Sequence, residues 1–304
     1  MTQVGARSPL DSLRLAAADI KLAHSVFALP FALLAAVLAI DPAASSTALA
    51  GQIALVILCM VLARTWAMLF NRLADRSFDA ANPRTARRAV ASGLLPVRRA
   101  WTLALTSALL FILTCSIFLL AFSNPWPLAL SLPTLAFIAF YSLTKRFTAL
   151  CHLVLGAALA FSPIAAAIAL RPSALADTPA IWLLAGMVLP WVAGFDVIYA
   201  LQDLDFDRSA GLRSMPARLG VQRSIWVSRL LHLLALAALT LAWWVEPRFG
   251  PTFLIAVALV AILLLGEHLV LARRGSAGIP MAFFTYNGLV SCVVGLLGIL
   301  DATL

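Results

Sequence analysis

Charge is what this chain has least of. Asp, Glu, Lys and Arg together make up 12% of its 304 residues, where a water-soluble domain carries roughly a quarter. Set against 63% hydrophobic residues and a mean hydropathy of +0.99, that scarcity excludes a soluble globular fold. No packed core could hide so much apolar surface, so the solvent has to be lipid. Lysine is almost missing: of 22 basic residues, 20 are Arg, and the two lysines are Lys21 and Lys145. Cysteine is scarce as well. Cys59, Cys115, Cys151 and Cys292 lie in or at the ends of apolar runs and none forms a Cys-x-x-Cys pair, which argues against both a zinc site and a disulfide framework. An early continuous apolar run is also lacking. The first 24 residues carry Asp11 and Asp19, so no cleavable signal peptide is expected and the first span doubles as the insertion signal.

Apolar runs of spanning length occur at about 25–41, 48–70, 100–122, 126–143, 150–170, 179–200, 226–246, 250–272 and 280–301. Each approaches the ~20 residues needed to cross hydrocarbon, so the sequence predicts an all-α membrane protein of about nine transmembrane helices. Residues 10–21 set Leu10, Leu13 and Leu15 against Asp11, Arg14 and Asp19. This pattern predicts an interfacial helix within an N-terminal segment 1–24, ahead of a single transmembrane domain over 25–304. The net charge of +9 would suit a nucleic acid, but its placement points to the membrane instead. Eighteen of the 22 Lys and Arg fall in the N-terminal segment and the connections after spans two, four, six and eight. Arg171 and Arg248 alone fall in the opposite connections, Arg64 lies inside span two and Arg229 inside span seven. Such a bias orients the N-terminus and the two longest connections, about 71–99 and 201–225, toward the cytoplasm. The expected location is a bacterial inner membrane, with the chemistry facing the cytoplasm.

Both long connections begin with aspartates at helical spacing. In the first, Asn71, Asp75 and Asp79 recur at every fourth residue and share one face of a helix. In the second, Asp196, Tyr199, Asp203 and Asp207 lie along one stripe, while Asp205 points elsewhere. Two carboxylates one turn apart repel unless a cation sits between them. Hard oxygen ligands at that spacing suit Mg²⁺, which keeps several waters and bridges carboxylates to phosphate oxygens. Two such helix ends facing each other would clamp a diphosphate. Arg72, Arg76, Lys145, Arg208 and Arg213 are the nearby cations that could neutralise the remaining phosphate charge. Asp196 and Arg64 are ionisable groups inside spans, where charge is costly and usually faces a functional cavity. His152, His232, Glu267 and His268 are read as structural groups, while Tyr286 and Asn287 stay open between contact with the cavity and a helix-packing hydrogen bond.

At these residues the sequence resembles the UbiA family of intramembrane aromatic prenyltransferases. The family's NxxxDxxxD motif is matched by Asn71, Asp75 and Asp79, and its YxxxDxxxD motif by Tyr199, Asp203 and Asp207. Where many members have Asp after the Asn, this chain has Arg72. The segments IKLAHSVFALP (20–30), NPRTARRAVASG (82–93), YSLTKRF (141–147), SMPARLG (214–220) and AFFTYNG (282–288) are similar too. The resemblance implies a nine-helix bundle around a central cavity. It also implies Mg²⁺-dependent transfer of a polyprenyl group from its diphosphate to a ring carbon of an aromatic acid, on a route to ubiquinone or menaquinone. The expected acceptor is 4-hydroxybenzoate, with 1,4-dihydroxy-6-naphthoate the alternative.

On that reading Asn71, Asp75, Asp79, Asp203 and Asp207 hold the metal. Tyr199 steadies cationic charge with its ring, Asp196 orients the acceptor or relays its proton, and Arg64 or Lys21 meets the acceptor's carboxylate. The partners are then the two substrates and the lipid bilayer, with no nucleic acid and no protein partner inferable. The rival from another class is a transporter using the acids as an ion path, which would place acids at mid-membrane in several spans. Here six of the 13 acids cluster in the two stretches. A haem farnesyltransferase or a chlorophyll-type prenyltransferase would share the metal site and differ in the acceptor cavity. The DGxxAR…GxxxD signature of CDP-alcohol phosphotransferases is absent.

Overall fold

The computed structural model describes residues 27–304 together with Asp11 and Leu15. The expected interfacial helix over 10–21 and Lys21 therefore lie outside the described residues, apart from Asp11 and Leu15, which are both helical. Described residues form helices and turns and no strand. The principal elements are α1 (Leu29–Leu38), α2 (Ser46–Ala74), α3 (Arg76–Ala81), α4 (Val97–Phe122), α5 (Trp126–Thr144) and α6 (Cys151–Leu170). They continue with α7 (Pro179–Ala200), α8 (Leu204–Ser209), α9 (Met215–Val245), α10 (Pro251–Arg274) and α11 (Asn287–Thr303).

Seven segments of the described residues are long and apolar enough to cross a membrane. The last of them, Pro251–Thr303, holds both α10 and α11. The 10-residue α1 is apolar but shorter. The expected count of about nine spans is met as an approximation. The many exposed leucines, among them Leu105, Leu109, Leu113 and Leu120 on α4 and Leu230, Leu233 and Leu234 on α9, are the faces such helices turn to lipid.

Helix starts follow local chemistry. Proline occupies the first turn of α1, α7, α9 and α10, where a missing N–H costs nothing. Ser214 caps α9, its Oγ accepting from the Ala217 N–H at 3.3 Å. Gly220 breaks that helix after its first turns at φ 77°, a conformation that L-residues with a Cβ rarely adopt.

The chain divides into two compact units. The first contains Ile57–Leu143, and the second Val26–Val56 and Thr144–Leu304; α2 crosses from the second into the first. In the first unit, Leu69 and Leu73 of α2, Ala89, Val90 and Leu95 of the connection, and Ala100 and Ala104 of α4 form a buried cluster, with Leu15 and Trp66 packed against it. The Trp66 indole donates to the Leu135 carbonyl of α5 at 2.9 Å.

In the second unit α7 is the central helix. Burial reaches 72% in its spanning stretch, against 39% or less in every other span. Ile181, Leu184, Met187, Trp191 and Ile198 are fully enclosed. Close approach of α6 requires Gly156, where a Cβ would come within 2.2 Å of the Leu189 carbonyl oxygen. Small residues at crossings are how membrane helices pack without a hydrophobic drive between them.

Candidate active site

In the first unit the aspartate stretch sits where α2 ends. Asp75 (φ −93°, ψ 8°) marks the break before α3. The helical repeat nonetheless runs through it, because the Asp75 N–H donates to the Asn71 carbonyl at 2.9 Å and the Asp79 N–H to the Asp75 carbonyl at 2.7 Å. Asn71, Asp75 and Asp79 therefore keep a common face. Asn71 Nδ2 donates to Asp75 Oδ2 at 3.1 Å, and Arg72 Nη1 donates to Asn71 Oδ1 at 2.9 Å.

Asp79 is buried and ion-paired with Arg88, Nη1 to Oδ1, at 2.7 Å. The connection that carries Arg88 is folded back by Thr85, whose Oγ1 donates to the Asp79 carbonyl at 3.1 Å, and by Asn82, whose carbonyl accepts from the N–H groups of Thr85 and Ala86. Asp79 Oδ2 has no hydrogen-bond partner among the described residues. A buried carboxylate oxygen left unpaired is costly. With the Asn71 amide and the Asp75 carboxylate on the same face, it makes a hard-oxygen donor set that suits Mg²⁺. Arg64, one of the sequence candidates, lies on α2 two turns ahead of Asn71. It is half-buried, its Nε is without a hydrogen-bond partner, and its electrostatic neighbours are Tyr141 and Arg72. Arg76 is exposed.

In the second unit the stripe begins on α7, passes a single 3₁₀ turn at Leu201–Asp203 and ends in α8. Asp203 and Asp207 are buried, and Asp205 is exposed as expected. Asp207 is fully enclosed. Lys145 Nζ lies 2.7 Å from its Oδ1, and Ser214 Oγ donates to its Oδ2 at 2.6 Å. Arg213 ties this corner together: its N–H donates to the Lys145 carbonyl at 2.8 Å and its Nη1 to the Phe147 carbonyl at 3.0 Å. Arg208 donates from Nε to the Ala217 carbonyl at 3.1 Å. Both arginines are exposed.

Asp196 is half-buried, with its Oδ2 2.6 Å from His152 Nδ1. Tyr199 packs its ring on Phe283 at a centroid distance of 4.3 Å. Phe283 belongs to a π-helical turn, Ala282–Tyr286, and Phe195 and Phe27 complete the aromatic group.

The structure thus gathers Asn71, Arg72, Asp75 and Asp79 in one unit, and Lys145, Asp207 and Arg213 in the other. Arg76, Arg208 and the rest of Arg213 face outward. Among the described residues no group of three or more His, Cys, Asp or Glu is arranged to hold a metal by itself.

Sequence reading missed Arg88, Ser214 and His152. Ser214 carried a signal, since a Ser ahead of a Pro in the first turn is an N-cap pattern. His152 carried none, being 44 residues from its partner. Elsewhere His232 Nδ1 lies 3.1 Å from His268 Nε2 and Asn287 lies between Glu267 and Trp191, while His232 Nε2, His268 Nδ1 and Glu267 Oε2 have no hydrogen-bond partner among the described residues.

Comparison with known proteins adds the family. The profile of the UbiA prenyltransferase family matches residues 28–289. A 4-hydroxybenzoate octaprenyltransferase of Saccharophagus degradans is 35% identical over 248 residues, which is 80% of this chain and 78% of the relative. One of Azotobacter vinelandii is 32% identical over 221 residues, 71% of this chain and 70% of the relative. Among solved structures, the apo form of a UbiA homolog from Aeropyrum pernix K1 superposes with a TM-score of 0.81 at 30% identity, covering 92% of this chain and 98% of that one. A UbiA homolog from Archaeoglobus fulgidus bound to GPP and Mg²⁺ shares the fold at a TM-score of 0.71 and 16% identity, over 95% of this chain and 100% of that one.

Proposed function

Because the chain belongs to the UbiA prenyltransferase family, we propose that it transfers a polyprenyl group from polyprenyl diphosphate to a ring carbon of 4-hydroxybenzoate, in quinone biosynthesis. The observation that carries the acceptor is the 35% identity to a relative named 4-hydroxybenzoate octaprenyltransferase over four-fifths of the chain. The catalytic domain is 25–304, the stretch that holds every predicted span. The protein lies in the bacterial inner membrane with both aspartate stretches toward the cytoplasm, a placement supported by the arginine bias of the connections.

Asn71, Asp75, Asp79, Asp203 and Asp207 are the residues that would hold Mg²⁺. When bound, that ion offsets the charge of the leaving diphosphate and eases cleavage of the allylic C–O bond. Arg72, Arg76, Lys145, Arg208 and Arg213 add positive charge for the diphosphate. Tyr199, braced by Phe283, offers a ring face to the allylic cation. The apolar spans exclude water, which would otherwise capture that cation. Arg64, with no carboxylate paired to it among the described residues, receives the acceptor's carboxylate; Lys21 is the second candidate. Asp196 meets the acceptor and takes the proton that the ring loses on substitution.

The test is to incubate membranes carrying the full chain with polyprenyl diphosphate and one acceptor at a time, and to weigh the product. A prenylated 4-hydroxybenzoate whose formation stops with chelator and resumes with Mg²⁺ supports the proposal. Product only from 1,4-dihydroxy-6-naphthoate would replace the acceptor, and a rate indifferent to chelator would remove the metal.

A further inference from the structure

A buried imidazole holds Asp196, and we infer that His152 is the positioning residue that fixes the direction of the Asp196 carboxylate. The inference rests on the reading of Asp196 as the group that meets the acceptor.

The geometry determines what the imidazole does. His152 lies in the first turn of α6 and is 2% exposed. Its Nε2 is 3.2 Å from the backbone nitrogen of Met215, which can only donate. Nε2 therefore presents its lone pair, and in the neutral ring the hydrogen sits on Nδ1. Nδ1–H then donates to Asp196 Oδ2 at 2.6 Å. A hydrogen on Nε2 would point at the Met215 N–H, so the tautomer is set by α9 rather than by the carboxylate.

Met215 opens α9, where the first N–H groups have no helical carbonyl to bond. The imidazole satisfies one of these orphans. The capping residue next to it, Ser214, donates to Asp207 Oδ2 and accepts from the Ala217 N–H. One buried side chain thereby joins three helices: α6 carries the ring, α9 fixes its tautomer, and α7 receives its proton as a hydrogen bond. The close approach of α6 and α7 that Gly156 permits lies one turn further along α6.

Both ring nitrogens are committed inside the protein, so His152 has neither lone pair nor proton to spare for a substrate. Its action passes through Asp196. With Oδ2 engaged, rotation of the carboxylate is restrained, which favours one direction for Oδ1 to meet the acceptor. Supporting groups of this kind, orienting another residue rather than touching substrate, are worth about 10–100-fold where they have been removed from other sites.

The experiment compares the full-length wild type with His152→Ala, His152→Asn, His152→Gln, Asp196→Asn and His152→Ala/Asp196→Asn, using polyprenyl diphosphate and 4-hydroxybenzoate in detergent. His152→Ala is expected to lower kcat by about 10–100-fold while KM for the diphosphate moves less than about 3-fold. The Asn side chain places an N–H near the Nδ1 position, and His152→Asn is expected to restore most of the rate. His152→Gln places its amide near Nε2 and is expected to leave the rate low. In the Asp196→Asn background, removing the imidazole should cost less than about 2-fold more, because coupled residues are not additive.

A second full loss in that background would overturn the inference, as would a Gln variant as fast as the Asn variant. If Asp196→Asn is slow while His152→Ala matches wild type, the inference alone fails. If Asp196→Asn itself runs at the wild-type rate, the reading of Asp196 fails and takes the inference with it. Should His152→Ala not insert, the contrast between the Asn and Gln variants carries the test.

Discussion

In the first aspartate stretch, a set of mutual partners comes from one short piece of chain. Asn71, Arg72, Asp75, Asp79 and Arg88 hold one another within residues 71–88. In the second, the partners arrive from far away: Lys145 and Ser214 grip Asp207, and His152 grips Asp196 across 44 residues. Burial follows the same division. The Asp79 side chain keeps 9% exposure, whereas Asp207 is at 0% and is held by both Lys145 and Ser214. The first site is a local knot at the end of one helix. The second exists only once α6, α7, α8 and α9 have assembled. Two stretches with one spacing are therefore built by different means, one by chain proximity and the other by packing.

If both stretches nevertheless do one job, the largest effect should be indifferent to how each is built. Asp75→Ala and Asp203→Ala are each expected to lower prenyl transfer by at least about 1,000-fold, the upper range for losing a group that stabilises developing charge. Insertion and the elution profile in detergent should be unchanged. Product formation at the wild-type rate from either variant would end the equivalence and remove that stretch from the metal site.

Stability should separate the two regions where activity does not. Removing Lys145 leaves a carboxylate in a fully enclosed place with one cation fewer, and breaking buried pairs of this kind costs on the order of 3 kcal/mol. Removing Arg88 leaves Asp79, whose side chain keeps 9% exposure where Asp207 keeps none, so a smaller cost is expected even though Arg88 is less exposed than Lys145, 24% against 32%. Lys145→Ala should therefore lower the thermal midpoint of the solubilised protein by several degrees more than Arg88→Ala. Restoring neutrality with Asp207→Asn in the Lys145→Ala background should recover most of the loss. Equal shifts for the two cations would mean that the sites are equally wet and that the contrast in burial has no energetic weight.

The same contrast explains what could be read in advance. Nine apolar runs and the arginine bias reveal the spans, because lipid imposes length and composition on any segment that crosses it. The Asn71–Asp75–Asp79 face was legible because helical hydrogen bonds continue through Asp75, so spacing in sequence is spacing in space. Asp205 was correctly set apart from Asp203 and Asp207 by the same argument. Lys145 was named as a cation near the site, but its attachment to Asp207 depends on the backbone bond from Arg213 to Lys145, which no local pattern encodes. His152 looked like a structural histidine for the same reason. Its meaning lies in Asp196 on one neighbouring helix and the Met215 N–H on another, and neither is near it in the chain.

The smallest effect concerns the exposed arginines of the second region. Arg208 and Arg213 each spend an N–H on a backbone carbonyl, Ala217 for one and Phe147 for the other. Their charge can then reach a diphosphate mainly through the field rather than by a bidentate grip. A field effect from exposed groups is screened within about 10 Å at 0.1 M salt and within about 3 Å at 1 M. Arg213→Ala is accordingly expected to raise KM for the prenyl diphosphate by only about 3-fold in dilute buffer, and the difference from wild type should vanish as salt is raised. A direct contact behaves otherwise, because a charge-assisted hydrogen bond shielded from solvent survives salt. An increase of ten-fold or more that persists at 1 M would place the guanidinium on the diphosphate itself and move this arginine from the scaffold of the second region into its working face.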